Sequence, residues 1–372
     1  MRVLHSYSGN LYGGVETLLV TLARSRDHAG EMRHEFALCF EGRLSRELAG
    51  AGAAVHAIDA VRTRNPVSIW RARRRFAELL AARHFDVVIC HMAWAQAIFG
   101  PVARAARTPL VFWMHLVTDG RHWLERWARR TRPQEVLAPS KFAANTASNV
   151  YPGLRAHTLY YPVAAPDDSL FDRNRVRNEL TTPKSNVVII QASRLEVWKG
   201  QRVMLEALGR LRQLTNWTCW IAGGIQRRAD EYYLQELNSA ARQMGIAGRV
   251  RFLGERCDVR RLLAAADIYC QPNTGTEGLP IVFTESLYAG LPVVSTTMGG
   301  FCEMIDDSCG VLVPPDDPGA LASALGRIIQ DDAERARLSA HARLRARELC
   351  DVDSQITRLG ELLGRATRCR FE

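Results

Sequence analysis

Nowhere in the 372 residues is there a run of about 18 uninterrupted apolar side chains, the length a membrane-spanning helix needs. The opening MRVLHSYSGN also lacks the apolar core of a secretory signal, so a cytoplasmic location is expected. C-x-x-C pairs are missing too. The nine cysteines, at 39, 90, 219, 257, 270, 302, 309, 350 and 369, are odd in number and dispersed. That argues against a disulfide framework and against a zinc site. Cys39 in EFALCF and Cys90 in DVVIC read as small core hydrophobes. The dinucleotide fingerprint G-x-G-x-x-G does not follow the first strand-like run. No helix-turn-helix, RNP or zinc signature is present either, which leaves a nucleic-acid-binding protein without a reading element.

What is present is ordinary globular composition, 47% hydrophobic and 24% charged, with a net charge of +10. The charge is unevenly placed. Residues 1–165 hold 22 Lys+Arg and 12 Asp+Glu, a difference of +10, and residues 166–372 hold 27 of each. An acidic partner for the first half is expected: anionic lipid, a phosphorylated substrate or nucleic acid. Two segments carry much of the excess, RTRNPVSIWRARRRF from Arg62 and GRHWLERWARRTR from Gly120 to Arg132. The second sets Trp123, Leu124 and Trp127 among Arg121, Arg126, Arg129, Arg130 and Arg132, a pattern of interfacial membrane helices. The competing expectation is that both tryptophans pack into the core.

Short apolar runs alternate with helix-period segments along the whole chain. Strands are expected at MRVLHSY, HEFALCF, AAVHAI, FDVVIC, PLVFWM, EVLAPS and HTLYY, then at NVVIIQAS, TCWIAGG, RVRFLG, ADIYCQP, LPVVST and GVLVPP. Apolar strands alternating with helices mean an α/β class with parallel sheets covered on both faces. A proline-containing, charged stretch at about 160–185 breaks the pattern. Two domains are therefore expected, 1–165 and 166–355, with residues 356–372 as a C-terminal helix returning to the first. Two such domains create a cleft, and ligands of open α/β sheets bind beyond the carboxyl ends of the strands.

Three strand-end segments stand out. Gly13 and Gly14 precede a helix after the first strand, where glycine permits close backbone approach and helix amides attract phosphate, although a Gly-Gly turn is equally a structural feature. Arg194 and Lys199, in ASRLEVWKGQ, offer two cations to a diphosphate, or merely to solvent. In QPNTGTEGLPIVFTESLYAGLPVVST, a helix is expected to begin near Leu279 or Pro280, with Glu277 before it and Glu285 two turns inside. Amides near Ile281 and Val282 would lie in its first turn, where partners are missing. Glu285 stands in an apolar run, where an unpaired charge is costly, and a pair of ribose or sugar hydroxyls would be a natural partner.

EGLPIVFTE resembles the E-x7-E signature of the retaining glycosyltransferases of family 4. GGVE, SRLEVWKG, AGG, FLGE, AADIYCQPN and AGLPVVST also occur in that family's order and spacing. The likeness covers nearly the whole chain and is strongest from 187 to 330. It implies the GT-B fold, two Rossmann-like parallel-sheet domains facing a cleft. It also implies transfer of a hexose or N-acetylhexosamine from a nucleotide-diphosphate sugar, based on uridine or guanosine, to a glycan, lipid-linked or small-molecule acceptor, with retention and without a metal or cofactor.

By the same resemblance, Arg194 and Lys199 would hold the diphosphate. The amides of Ile281 and Val282, with Gly278 and Leu279 beside them, would complete the cradle, and Gly13 and Gly14 would approach from the first domain. Glu285 resembles the ribose anchor, and Glu277 the residue at the transferred sugar. Arg256 would lie near the base, and His115 matches a histidine that reaches the sugar. A nucleotide-sugar 2-epimerase shares the architecture and remains an alternative. A double-displacement hydrolase fits poorly, because it needs carboxylates across a cleft. Asp306-Asp307, Asp316-Asp317 and the Asp351, Asp353 pair read as caps and solvated surface. The sequence departs from the family at Tyr161 before Pro162, where relatives carry Asn, and at Pro272-Asn273, where Pro-Ser is usual. Peripheral docking on the inner membrane face through Arg121–Arg132 is expected, with no nucleic-acid partner.

Overall fold

A computed structural model describes residues 1–9, 13–25, 32–166 and 171–368. Cys369 and part of the expected linker lie outside the described residues. The chain divides into two compact units. One comprises Met1–Ala164 with Cys350–Glu372, the other Ala165–Leu349.

The first unit is built on strands β1 (Arg2–Tyr7), β2 (Arg33–Leu38), β3 (Ala54–Ala57), β4 (Val87–His91), β5 (Leu110–Trp113), β6 (Glu135–Ala138) and β7 (Ala156–Thr158). They form one parallel sheet in the order β3-β2-β1-β4-β5-β6-β7. The order reverses at β1, the feature that leaves a ligand crevice at the carboxyl ends of a doubly wound sheet. Helices α1 (Gly14–Arg24), α2 (Arg43–Gly50), α3 (Pro66–Ala82), α4 (Met92–Ala105), α5 (Trp123–Ala128) and α6 (Lys141–Asn145) connect the strands. Asn65 caps α3 by accepting from the Val67 and Ser68 amides, and Pro66 fits the first helical position.

The second unit has β8 (Val187–Ala192), β9 (Trp217–Ala222), β10 (Val250–Gly254), β11 (Ile268–Gln271), β12 (Val293–Thr296) and β13 (Gly310–Val313), all parallel, ordered β10-β9-β8-β11-β12-β13. Its helices are α7 (Arg173–Glu179), α8 (Gln201–Arg210), α9 (Arg228–Gln243), α10 (Val259–Ala265), α11 (Ile281–Tyr288) and α12 (Pro318–Gln330). Strand β8 is buried at every position because helices cover both faces of the sheet. Arg173 and Arg177 of α7 both pair with Asp267, which also accepts from the Val188 amide, so the segment expected as linker is partly helix and pinned to the second sheet. A long helix, α13 (Asp332–Cys350), precedes α14 (Val352–Arg368). Ile356, Leu359, Leu362 and Leu363 of α14 are buried, and that helix lies against β4, β5 and β6 of the first unit.

Among the described residues no helix is long and apolar enough to cross a membrane. None of the eight described cysteines is in a disulfide, and six of them are buried.

Candidate functional site

Three loops at the carboxyl ends of β8, β11 and β12 meet around Glu277. The β8 loop ends in a short 3-10 turn, Val197–Lys199, followed by Gly200 with φ +75° at the head of α8. A Cβ on Gly200 would stand 1.8 Å from the Pro272 carbonyl oxygen, so only glycine lets the β8 and β11 loops touch backbone to backbone. The Thr274 amide donates to the Trp198 carbonyl at 2.9 Å and closes the contact. From the β12 side, the Gly300 amide donates to the Glu277 carbonyl at 2.9 Å. Gly299, at φ +90°, is held so close that a Cβ would fall 2.6 Å from that same oxygen.

The Glu277 carboxylate is gripped from two directions. Lys199 Nζ lies 2.6 Å from both of its oxygens, and Asn273 Nδ2 donates to Oε2 at 3.0 Å. Only 6% of the Lys199 side chain is exposed. Burial pushes its pKa down, and the Glu277 charge opposes the shift. A line of donors along β11 feeds the carboxylate. Tyr269 Oη donates to Gln271, Gln271 Nε2 donates to Asn273 Oδ1, and Asn273 donates to Glu277. Residues 269, 271 and 273 alternate with the strand period and so share one face. Asn273, the departure from Pro-Ser, thus has a defined role.

Helix α11 begins at Ile281, and among the described residues no side chain caps it, which leaves first-turn amides such as those of Ile281 and Val282 for a ligand. Glu277 lies four residues outside the helix and Glu285 only in its second turn, so the two do not share a helix and Glu285 is shallower than expected. Glu285 Oε1 accepts from Arg260 Nε at 3.0 Å. Arg260, on α10, was not singled out by the sequence, because its pairing depends on how α10 packs on α11. Arg256, expected near the base, forks onto Asp258 with two bonds of 2.8 Å. Arg194 is half-exposed and pairs with Glu196 at 3.2 Å. Gly278 and Leu279 lead from Glu277 into α11, and Leu279 is buried.

In the first unit, Gly13 caps α1 with extended backbone and Gly14 opens the helix. Beneath them the buried Glu16 accepts a 2.6 Å hydrogen bond from Tyr7 Oη. His115, after β5, is buried and both its ring nitrogens are engaged, Nε2 with His91 at 2.9 Å and Nδ1 with Tyr161 Oη at 2.7 Å. A ring expected to reach a sugar is therefore already bonded on both sides, and Tyr161, the second departure from the family, is its partner. His91 continues to His5 at 2.9 Å, and His5 to His34 at 2.8 Å. The only sequence sign of this row is a lone histidine in each of four neighbouring strand segments.

The basic α5 segment divides. Trp123 is exposed and stacks on Trp127, which packs into the core with the Arg73 guanidinium 5.9 Å from its ring. The helix ends at Ala128. Arg129 donates to the Val150 and Asn149 carbonyls and Arg132 to that of Pro152. Arg121, Arg126 and Arg130 stay exposed. So do Val67 and Trp70 at the start of α3.

The family model described as "Glycosyl transferases group 1" matches residues 172–345, and that described as "Glycosyltransferase Family 4" matches residues 12–163. The chain is 34% identical over 202 residues to a D-inositol 3-phosphate glycosyltransferase of Xylanimonas cellulosilytica, a match covering 53% of this chain but less than half, 46%, of that protein. A phosphatidyl-myo-inositol mannosyltransferase of Mycobacterium leprae is 27% identical over 373 residues, covering 95% of this chain and 94% of the relative. Among solved structures, Anabaena HepE in complex with UDP and glucose superposes with a TM-score of 0.83 at 24% identity, over 98% of this chain and 99% of that one. Two parallel Rossmann-like sheets, the loop geometry around Glu277 and two matching family models spanning most of the sequence lead to one conclusion: the chain belongs to the family 4 glycosyltransferases and has the GT-B fold.

Proposed function

We propose that the protein transfers a hexose or N-acetylhexosamine from a nucleotide-diphosphate sugar to a glycan or lipid-linked acceptor, with retention at the anomeric carbon and without a metal. The observation that carries this reading is the Glu277 carboxylate, held by Lys199 and Asn273 where three strand-end loops converge. Arg194, Lys199 and the amides of Ile281 and Val282 supply fixed positive charge to a leaving diphosphate. Groups that need not reorganise during the reaction stabilise developing charge strongly. Glu285, oriented by Arg260, keeps an oxygen for the ribose hydroxyls. The relatives named for inositol-linked acceptors support a phosphorylated or lipid-linked acceptor, as does the +10 charge of residues 1–165.

Thermal-shift titration with UDP, GDP and their sugars, run in EDTA, tests the reading. A nucleotide present at 100 times its Kd should stabilise the second unit by about 2.7 kcal/mol and raise its Tm. If no nucleotide moves the transition without divalent metal, the donor site or its metal independence is wrong.

Membrane docking is part of the same proposal. Trp123 is exposed beside the exposed Arg121, Arg126 and Arg130, and Trp70 is exposed with the Arg74 guanidinium 5.7 Å from its ring, so anionic lipid is the expected surface. In vesicle flotation at low salt, the protein should float with phosphatidylserine vesicles but not with phosphatidylcholine alone. Trp123→Ala with Arg126→Ala should weaken that binding several-fold. Equal recovery with both lipids, or with neither, would refute it.

A further inference from the structure

Four buried histidines cross the first sheet on a diagonal. In register, His34 faces Val3, His5 faces Ile89 and His91 faces Trp113. Each histidine therefore stands two residues further toward the carboxyl end than its neighbour on the preceding strand, and all share one face of β2, β1, β4 and the extension of β5. The ring nitrogens meet in series. His34 Nδ1 lies 2.8 Å from His5 Nε2, His5 Nδ1 2.9 Å from His91 Nε2, and His91 Nδ1 2.9 Å from His115 Nε2. His115 Nδ1 completes the row at Tyr161 Oη. Met92, directly after His91, has φ +67°. Few non-glycine residues adopt that conformation, and held strain of this kind collects at sites where a geometry must be kept.

A neutral imidazole carries one N–H and one acceptor nitrogen, so such a row can be satisfied in only two ways, with every proton on Nδ1 or every proton on Nε2. The two ends decide between them. Among the described residues, His34 Nε2 is buried with no hydrogen-bond partner. Protons on Nε2 would leave a stranded N–H there, whereas protons on Nδ1 leave only an unused lone pair, the less costly defect. At the other end lie Tyr161 and, close enough to influence Tyr161's neighbour Tyr7, the acceptor-only carboxylate of Glu16. Donors should point toward that charge.

We infer that His34, His5, His91 and His115 form one directed relay of neutral imidazoles, each Nδ1–H donating to the next Nε2 and the last to Tyr161, which makes the inner three histidines positioning residues for the His115–Tyr161 pair. This rests on the reading of the first unit as part of a sugar-transfer enzyme. The relay fixes the tautomer and ring plane of His115 without a charge. It presents Tyr161 as an acceptor toward His115, so that its own proton points elsewhere. The aligned ring dipoles place their positive ends at the carboxyl end of the sheet, toward Tyr161.

Long-range 15N–1H correlation spectra of the full-length protein with labelled histidine test the relay without any substrate. Four neutral rings with protonated Nδ1 are expected at pH 7. A ring protonated on Nε2, or an imidazolium, at any of these four of the ten histidines would overturn the inference. Kinetics of His5→Leu and His5→Gln supply the functional arm. Leucine breaks the relay and should lower kcat by about tenfold or more, because small misplacement of a reacting group is costly, with donor KM changed by less than about twofold. Glutamine can still accept from one neighbour and donate to the other, and should recover much of that loss. Full kcat in His5→Leu, or no recovery in His5→Gln, would refute the positioning role. If His5→Leu does not fold, the wild-type spectrum still decides. If no donor supports transfer in the wild type, the transfer reading fails while the spectrum judges the relay separately.

Discussion

Lowering the pH from 7.5 to 5.5 should destabilise the first unit by about 5 kcal/mol while leaving the second nearly unchanged. The cause is the histidine row. Burial pushes the pKa of His34 down to about 4 and that of His115 to about 3. His5 and His91 are lowered well below the ordinary value, first by burial and then by neighbouring rings. In the unfolded chain all four return to about 6.5. Their neutral, folded-state advantage is therefore complete above pH 6.5 and is lost as the pH falls toward the folded values, because the unfolded state then binds more protons. Each ring costs a little over ~1 kcal/mol over this interval, and four rings about 5. Against a total stability on the order of 5–15 kcal/mol that is a large fraction. At roughly 2–4 °C per kcal/mol for a unit of this size, Tm should drop by on the order of 10 °C.

The selectivity follows from where histidine occurs. The second unit contains a single one, His341, which is exposed. Other groups titrate elsewhere. Burial acts to raise the Glu35 pKa, but hydrogen bonds from Arg2 and His56 outweigh it and hold it below the ordinary carboxylate value. Its contribution is thus present above about 4.5 and is lost only at lower pH. Hydrogen exchange read by mass spectrometry distinguishes the units. Protection in β1, β2, β4 and β5 should fall steeply between pH 6.5 and 5.5 after correction for intrinsic rates, with β8, β9 and β11 retained. Uniform loss, or none, would contradict the neutral-histidine account.

That row also marks the limit of what the sequence discloses. Every strand of both sheets was legible, the fully buried ones because a strand covered on two faces must be an apolar run such as VVIIQA or VVICH. Glu277, Glu285, Arg194 and Lys199 were legible as charges at strand and helix ends. Their pairings were not. Lys199 meets Glu277 across 78 residues and Arg260 meets Glu285 across 25, through loops whose approach depends on Gly200 and on the packing of α10. A pattern along the chain gives the period of an element but not the register between elements. A histidine inside RVLHSY looks like an isolated core residue until β1 and β4 are placed side by side.

Glu277→Ala should reduce transfer by about 10²–10³-fold, the usual effect of removing one fixed electrostatic group from a reaction centre. It should also cost stability. The substitution strands the Lys199 ammonium, nearly enclosed, with its counter-ion gone, and breaking a buried pair from one side costs about 3–5 kcal/mol. Part of that cost is escaped if Lys199 releases its proton, which burial already favours. A loss of activity in the single mutant therefore mixes chemistry with local collapse. The double variant Glu277→Leu with Lys199→Met separates them. Replacing both charges by apolar groups of similar size is often neutral for stability, so the melting temperature should return close to that of wild type while transfer stays at least about 10²-fold down. Restored transfer in the double variant would reduce the pair to scaffolding. Restored stability without transfer would tie the charged Glu277–Lys199 pair to the transfer itself rather than to the fold.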